Sequence, residues 1–195
     1  MKQIKAKKGF TLVEVVITTT ILFIILALVS PLLNYNLKSL YQTENKSDLQ
    51  RDAYECVENF TKKAMEAKEI YIMKDTNDNL LVDNSTKKQF NITVAKNIKY
   101  INFVTGETGK NYIFEVDASS RTLSYKESDT DEPKIIAENI DYFQVQPLPI
   151  DPDNKNNSLG DFEHCQGIRI EVKFSMHLVD SYIISSEIKF RNNTQ

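Results

Sequence analysis

The residues best placed to do chemistry stand at the head of the chain. Gly9 and Phe10 follow a basic stretch containing Lys2, Lys5, Lys7 and Lys8, and a single acid, Glu14, lies inside the apolar run that continues to Leu33. From Phe10 to Leu33 there are 24 residues, and Glu14 is the only ionisable one. A carboxylate inside a membrane segment costs roughly 2.5–3.5 kcal/mol on insertion scales, so such residues usually pair or serve a function. A chain with one span has no second membrane helix to supply the partner. The partner is therefore expected from another molecule, or from the chain's own terminus after processing. A cut after Gly9 would leave an ammonium group on Phe10, one helical turn before Glu14, which is the spacing at which groups on a helix meet.

Other reactive residue types are scattered. His164 and His177 are the only histidines, and no H-E-x-x-H, C-x-x-C, G-x-S-x-G or phosphate-loop pattern appears. Asp151-Pro152-Asp153-Asn154-Lys155-Asn156 begins like a calcium loop but has Lys155 at the fifth position and no following glycine, and Asp75 to Asn79 lacks both the glycine and the closing glutamate. Polar loops account for both, so no metal ligand, cofactor or catalytic residue is assigned and the chain is expected not to be an enzyme. Cys56 and Cys165 admit two readings. A disulfide would close a loop of about 110 residues and contribute up to roughly 4 kcal/mol in the chain-entropy model; alternatively, Cys56 is a small apolar core residue.

The elements that must position these residues begin with a membrane-length helix. Phe10–Leu33 exceeds the roughly 20 residues needed to cross a hydrocarbon core, and the leader lysines keep the N-terminus in the cytoplasm and send the rest outward. An ordinary secretory signal peptide has a shorter core without an acid and ends in a small-residue cleavage site, which Ala27-Leu28-Val29-Ser30 imitates poorly. A plain membrane anchor is the other alternative.

Lys-Gly-Phe-Thr-Leu-Val-Glu resembles the class III signal of type IV prepilins and pseudopilins. The resemblance implies cleavage after Gly9 and N-methylation of Phe10 by a prepilin peptidase, and an assembly role for Glu14, which in that family pairs with a neighbouring subunit's N-terminal amine. Pro31 matches a proline frequent in these proteins. A proline inside a helix removes a hydrogen bond and kinks or weakens it; the resemblance favours a soft point for Pro31 over a tolerated kink. The partners it implies are other pilin or pseudopilin subunits, the peptidase, a pilus assembly platform protein and membrane lipid.

Beyond Pro31 helical periodicity resumes. Leu49, Ala53, Cys56, Val57, Phe60, Ala64, Ala67, Ile70 and Tyr71 form one apolar stripe opposite charges of alternating sign. This predicts one helix from about Thr11 to about Tyr71. From Ile72 the period becomes 2. Strands are expected at Leu80–Val82, through Phe90, Ile92 and Val94, through Ile101 and Phe103, at Tyr112–Val116, at Leu123–Tyr125, within Ile135–Val145, at Ile168–Phe174 and at Tyr182–Phe190, with Thr105–Asn111 as a hairpin connection and Pro147–Asp161 as a long loop. A long helix followed only by strands is α+β, the helix packing on an antiparallel sheet. The domain plan is a leader at 1–9, a membrane or filament-core segment at 10–33, an amphipathic second half of the helix at 34–71 and a β-rich domain at 72–195.

The segment order, with Ile140–Val145 and a closing pair ending Phe190-Arg191-Asn192, resembles minor pilins of the W type and J-type pseudopilins. The formal charge is −3; without residues 1–9 it is −7, from 20 basic and 27 acidic side chains. Bulk charge therefore gives no footprint for nucleic acid. The expected function is a minor pilin-like subunit of a surface pilus. The alternatives are a pseudopilin of a type II secretion or DNA-uptake system, and a monomeric membrane-anchored binding protein.

Overall fold

The computed structural model describes residues 10–86, 95–106, 110–148, 162, 165, 167–177 and 179–190. These fall into two compact units, Met1–Glu44 and Asn45–Gln195. In the first unit, every described residue from 12 onward belongs to helix α1 (Leu12–Glu66), and its apolar side chains are exposed on all sides. Pro31 lies inside α1, and helix is retained on both sides of it.

The second unit takes the remainder of α1 and packs it on antiparallel strands, which makes the class α+β. The strands are β1 (Ala67–Asp75), β2 (Leu80–Asp83), β3 (Lys96–Thr105), β4 (Asn111–Asp117), β5 (Thr122–Lys126), β6 (Lys134–Ala137), β7 (Ile140–Pro147), β8 (Gly167–Phe174) and β9 (Tyr182–Lys189). Their order is β6-β5-β4-β3-β7-β8-β9, with β1 also on β3 and β2 on β1. The stripe Leu49, Ala53, Cys56, Val57, Phe60 and Ala64 is the buried face of α1. Phe60 sits at the centre of the core, with ring centroids 4.6 Å from Phe114, 5.0 Å from Phe143 and 5.7 Å from Phe103. That one side chain touches strands β3, β4 and β7, so α1 holds the curled sheet together by aromatic packing.

The helix ends at Glu66, not near Tyr71. Ala67, Ile70 and Met73 continue the buried stripe every third residue, but in β1, whose pairing with β3 shifts register three times. Each irregularity re-aims the following side chains, so a bulged strand imitates a helical period.

Within Ile135–Val145, where a strand is expected after a short irregular piece, there are two strands. β6 pairs with β5 and β7 with β3 and β8, and between them Asn139 takes a left-handed φ of 62°. Asparagine tolerates that conformation better than most residues, and the break moves the chain from the β5 edge to β3. The closing hairpin β8–β9 follows its alternation closely, with Ile168, Ile170, Val172 and Phe174 all buried. Phe90, Ile92 and Val94, the middle of the Thr105–Asn111 connection and nearly all of Pro147–Asp161 lie outside the described residues.

Candidate functional site

The head of α1 is built by Thr11 and Glu14. Thr11 precedes the first helical residue, and its Oγ1 accepts the Glu14 backbone N–H at 3.3 Å. In return Glu14 Oε2 accepts the Thr11 backbone N–H at 2.9 Å and the Thr11 hydroxyl at 3.0 Å. This is a capping box, in which an N-cap hydroxyl and an acid three residues later satisfy each other's orphan N–H groups. It changes the account of Glu14. From composition alone the partner was expected in another molecule or in the chain's own processed terminus, whereas the carboxylate already has two donors on Thr11. The signal was present as Thr11-x-x-Glu14, and Thr11 is the functional residue that the sequence reading passed over.

Beyond this turn, Thr18 donates its hydroxyl to Glu14 O at 2.8 Å, Thr19 to Val15 O at 2.9 Å and Thr20 to Val16 O at 2.8 Å. The three hydroxyls are thereby satisfied without leaving the helix, which an apolar solvent requires of polar groups. Phe10 stands just before the cap at 86% exposure. Gly9, the expected cleavage position, lies outside the described residues. Leu12–Glu66 contains a stretch long and apolar enough to cross a membrane, and the large apolar side chains from Leu12 to Leu33 are exposed. An all-round apolar helix of this kind is built to be surrounded by lipid or by other helices.

Among the described residues, two polar clusters fasten parts of the second unit together. Lys63, near the end of α1, lies 4.6 Å from the Tyr112 ring centroid and 3.3 Å from Glu127 Oε1, which also accepts the Tyr125 hydroxyl at 2.9 Å. Tyr112 donates to Glu66. The bond from Tyr125, then Lys63, holds the Glu127 carboxyl below its usual range, while burial, then Glu127, pushes Tyr125 up. On the other side, Arg121 donates to Asp141 Oδ1 at 2.6 Å and to the Ser175 carbonyl at 2.7 Å, and Lys173 lies 3.4 Å from Asp141. The Ser175 hydroxyl is the largest influence lowering the Asp141 pKa. Arg121 thus ties the β4–β5 turn to β7 and the end of β8.

The remaining sequence candidates fall apart in space or in purpose. Asp75 spends its carboxylate on the turn it begins, accepting the N–H groups of Asn77 at 2.8 Å and Asn79 at 2.9 Å. Asp151–Asn156 and His164 lie outside the described residues, and His177 is exposed in a turn. Among the described residues, no three His, Cys, Asp or Glu side chains are grouped to hold a metal ion. Cys56 and Cys165 are both buried. Cys56 is a thiol that burial pushes up to about 12, and the Cys165 Sγ donates to Phe162 O at 3.4 Å.

The model of the prokaryotic N-terminal methylation motif matches residues 4–30, a span that contains Gly9, Phe10, Thr11 and Glu14. No curated protein and no solved structure matches the chain. The motif, with a long apolar N-terminal helix and a β domain behind it, fits a type IV pilin or pseudopilin. It supports a prepilin-processed protein of structural type, anchored by its apolar helix, cut by prepilin peptidase and assembled with other pilin subunits.

Proposed function

We propose that this chain is a minor pilin-like subunit of a pilus or pseudopilus. Prepilin peptidase cuts it after Gly9 and methylates Phe10, and an assembly platform draws it from the membrane with the N-terminus on the cytoplasmic side and the β-rich domain outside. The observation that carries this reading is the coincidence of the methylation motif with a capped helix whose apolar surface is uncovered on every side. The minor role is supported by segment order, with β7 followed by the closing pair β8–β9.

Glu14 then acts in two stages. In the separate chain its carboxylate is held by Thr11. On assembly it exchanges those neutral donors for the methylated ammonium of a neighbouring subunit's Phe10, and a charge-assisted hydrogen bond is about twice as strong as a neutral one. In a bilayer the exchange also neutralises a buried charge. Pro31 serves as the point where α1 gives way during this transfer, because its ring has already removed one backbone bond.

Replacement of Gly9 by leucine tests the first step, and Glu14→Val the second. The first variant is expected to retain its leader in the membrane fraction. The second is expected to be cut and methylated normally but to be lost from sheared filaments by tenfold or more. Incorporation of the Glu14 variant at the wild-type level would remove the pairing from the account.

A further inference from the structure

A cleft of about 310 Å³ opens where β4 and β7 part company on β3. The ladder with β4 ends at Tyr100 and the ladder with β7 begins at Asn97, so neither strand provides a ladder partner for Ile98 or Lys99. Ile98, Ile140 and Phe143 are buried in its floor. Glu115 and Asp117 stand on its rim. They are two residues apart on β4 and both are exposed, as expected of one outward face of a strand.

The charge at this rim is unbalanced. The Lys99 ammonium is held by Asp78, 2.9 Å from each carboxylate oxygen, and Glu115 and Asp117 also act on it. Three carboxylates against one ammonium leave a formal −2; Asp117 also accepts the Ser119 N–H and the Ser120 hydroxyl, each at 2.8 Å, in the turn that follows β4. Asp141, at the opposite lip, is already engaged by Arg121 and Lys173. An apolar floor with a few convergent polar groups, at the small end of the roughly 300–1,000 Å³ typical of ligand sites, is the usual form of a binding cleft. On its other edge Ile98 pairs with Asp75 of β1, so only the edge facing the cleft lacks a ladder partner, and that edge adds preference for extended chain, which binds by main-chain hydrogen bonds with side chains choosing the partner.

We propose that this cleft docks a short extended segment of another polypeptide, its backbone lying along Ile98–Lys99 and a lysine or arginine side chain reaching between Glu115 and Asp117. The site lies on the second unit and does not depend on leader cleavage or filament entry.

The test uses the full chain, isotope-labelled, in detergent micelles, with three capped tripeptides as probes: Val-Lys-Val, Val-Leu-Val and Val-Glu-Val. The lysine peptide is expected to shift the amide resonances of Ile98, Lys99, Val116 and Asp117 and to slow their hydrogen exchange. The leucine peptide is expected to bind about tenfold more weakly and the glutamate peptide not at all. Glu115→Lys should weaken the lysine peptide by tenfold or more, a loss of about 1.4 kcal/mol or greater, without moving the unfolding midpoint. Glu115→Gln gives a smaller loss and serves if the lysine variant folds poorly. Absence of shifts with the lysine peptide, equal binding of lysine and leucine peptides, or wild-type binding by folded Glu115→Lys or Glu115→Gln would each overturn the proposal.

Discussion

Helix α1 passes through two environments, and the difference between them is the most informative feature of this protein. Over residues 12–44 no side chain is buried by the chain itself. Over 45–66 the stripe Leu49, Ala53, Cys56, Val57, Phe60 and Ala64 is buried and the opposite face is charged. The second stretch is complete when the sheet folds onto it, and Phe60 is its keystone. In the first stretch the apolar side chains are exposed. One helix therefore has a half packed within the chain and a half left exposed, and substitutions should divide sharply between them.

The largest expected separation is between two phenylalanines. Phe60→Ala should destabilise the β domain by about 3–5 kcal/mol, the range for emptying a large aromatic site in a core, read as a fall in the denaturant midpoint of the domain. Phe23→Ala, at a residue 72% exposed, should leave that midpoint unchanged. A drop for Phe23→Ala comparable with that of Phe60→Ala would break the division.

Next comes Gly167, in β8. A Cβ there would lie 2.1 Å from the Ile188 carbonyl oxygen of β9, so backbone must move. Gly167→Ala should cost about 1–3 kcal/mol, as overpacking does, and should raise hydrogen exchange in β8 and β9 first. At the other end of the molecule, Thr11→Val removes the capping hydroxyl while keeping Glu14. The expected loss is about 1 kcal/mol, confined to the first turn and visible as faster amide exchange at Leu12–Val15, with the domain midpoint unaffected.

The smallest effects are those of pH on the second unit. Glu127 and Asp141 have carboxyls held below their usual range. Their contribution is present above the unfolded carboxyl value near 4 and is lost as pH falls through the lower folded values. Tyr112 and Tyr125 are pushed up, in each case mainly by burial. Their contribution is present below the unfolded phenol value near 10 and is lost as pH rises beyond it. The denaturant midpoint should therefore be flat from about pH 5 to 9 and decline on both sides. A midpoint that rises on going below pH 4 would contradict the reading of the two clusters as fasteners.

What was legible in the sequence follows the same division. The stripe on α1 and the alternation in β8 and β9 declared themselves because each face meets one solvent, so period maps directly onto burial. Strand β1 did not, because the two register shifts between Ala67 and Met73 put Ala67, Ile70 and Met73 in the core at a helical interval. The irregular piece expected before Ile140 holds the short strand β6, which was not legible because it pairs with β5, before the left-handed Asn139, and not with the strands that hold β7. At the candidate site, the spacing of Phe10 and Glu14 pointed to the head of α1, and Gly9 lies outside the described residues. Thr11 was overlooked because a lone acid in apolar sequence invites a search for a distant partner, when the nearest donor is three residues away. The cleft beside Glu115 and Asp117 could not be read in advance, since it depends on where two strands leave a third.

The central claim is that the apolar first stretch of α1 is made for other subunits after its leader is removed. The most direct measurement is mass spectrometry of the N-terminal peptide from sheared surface filaments and from the membrane fraction of the same cells. The account predicts an N-methylated peptide beginning at Phe10, present in the filaments or, for a subunit that primes a short pseudopilus, concentrated in the membrane. A chain still beginning at Met1 in both fractions, in cells with an active prepilin peptidase, would contradict it and leave a simple membrane anchor.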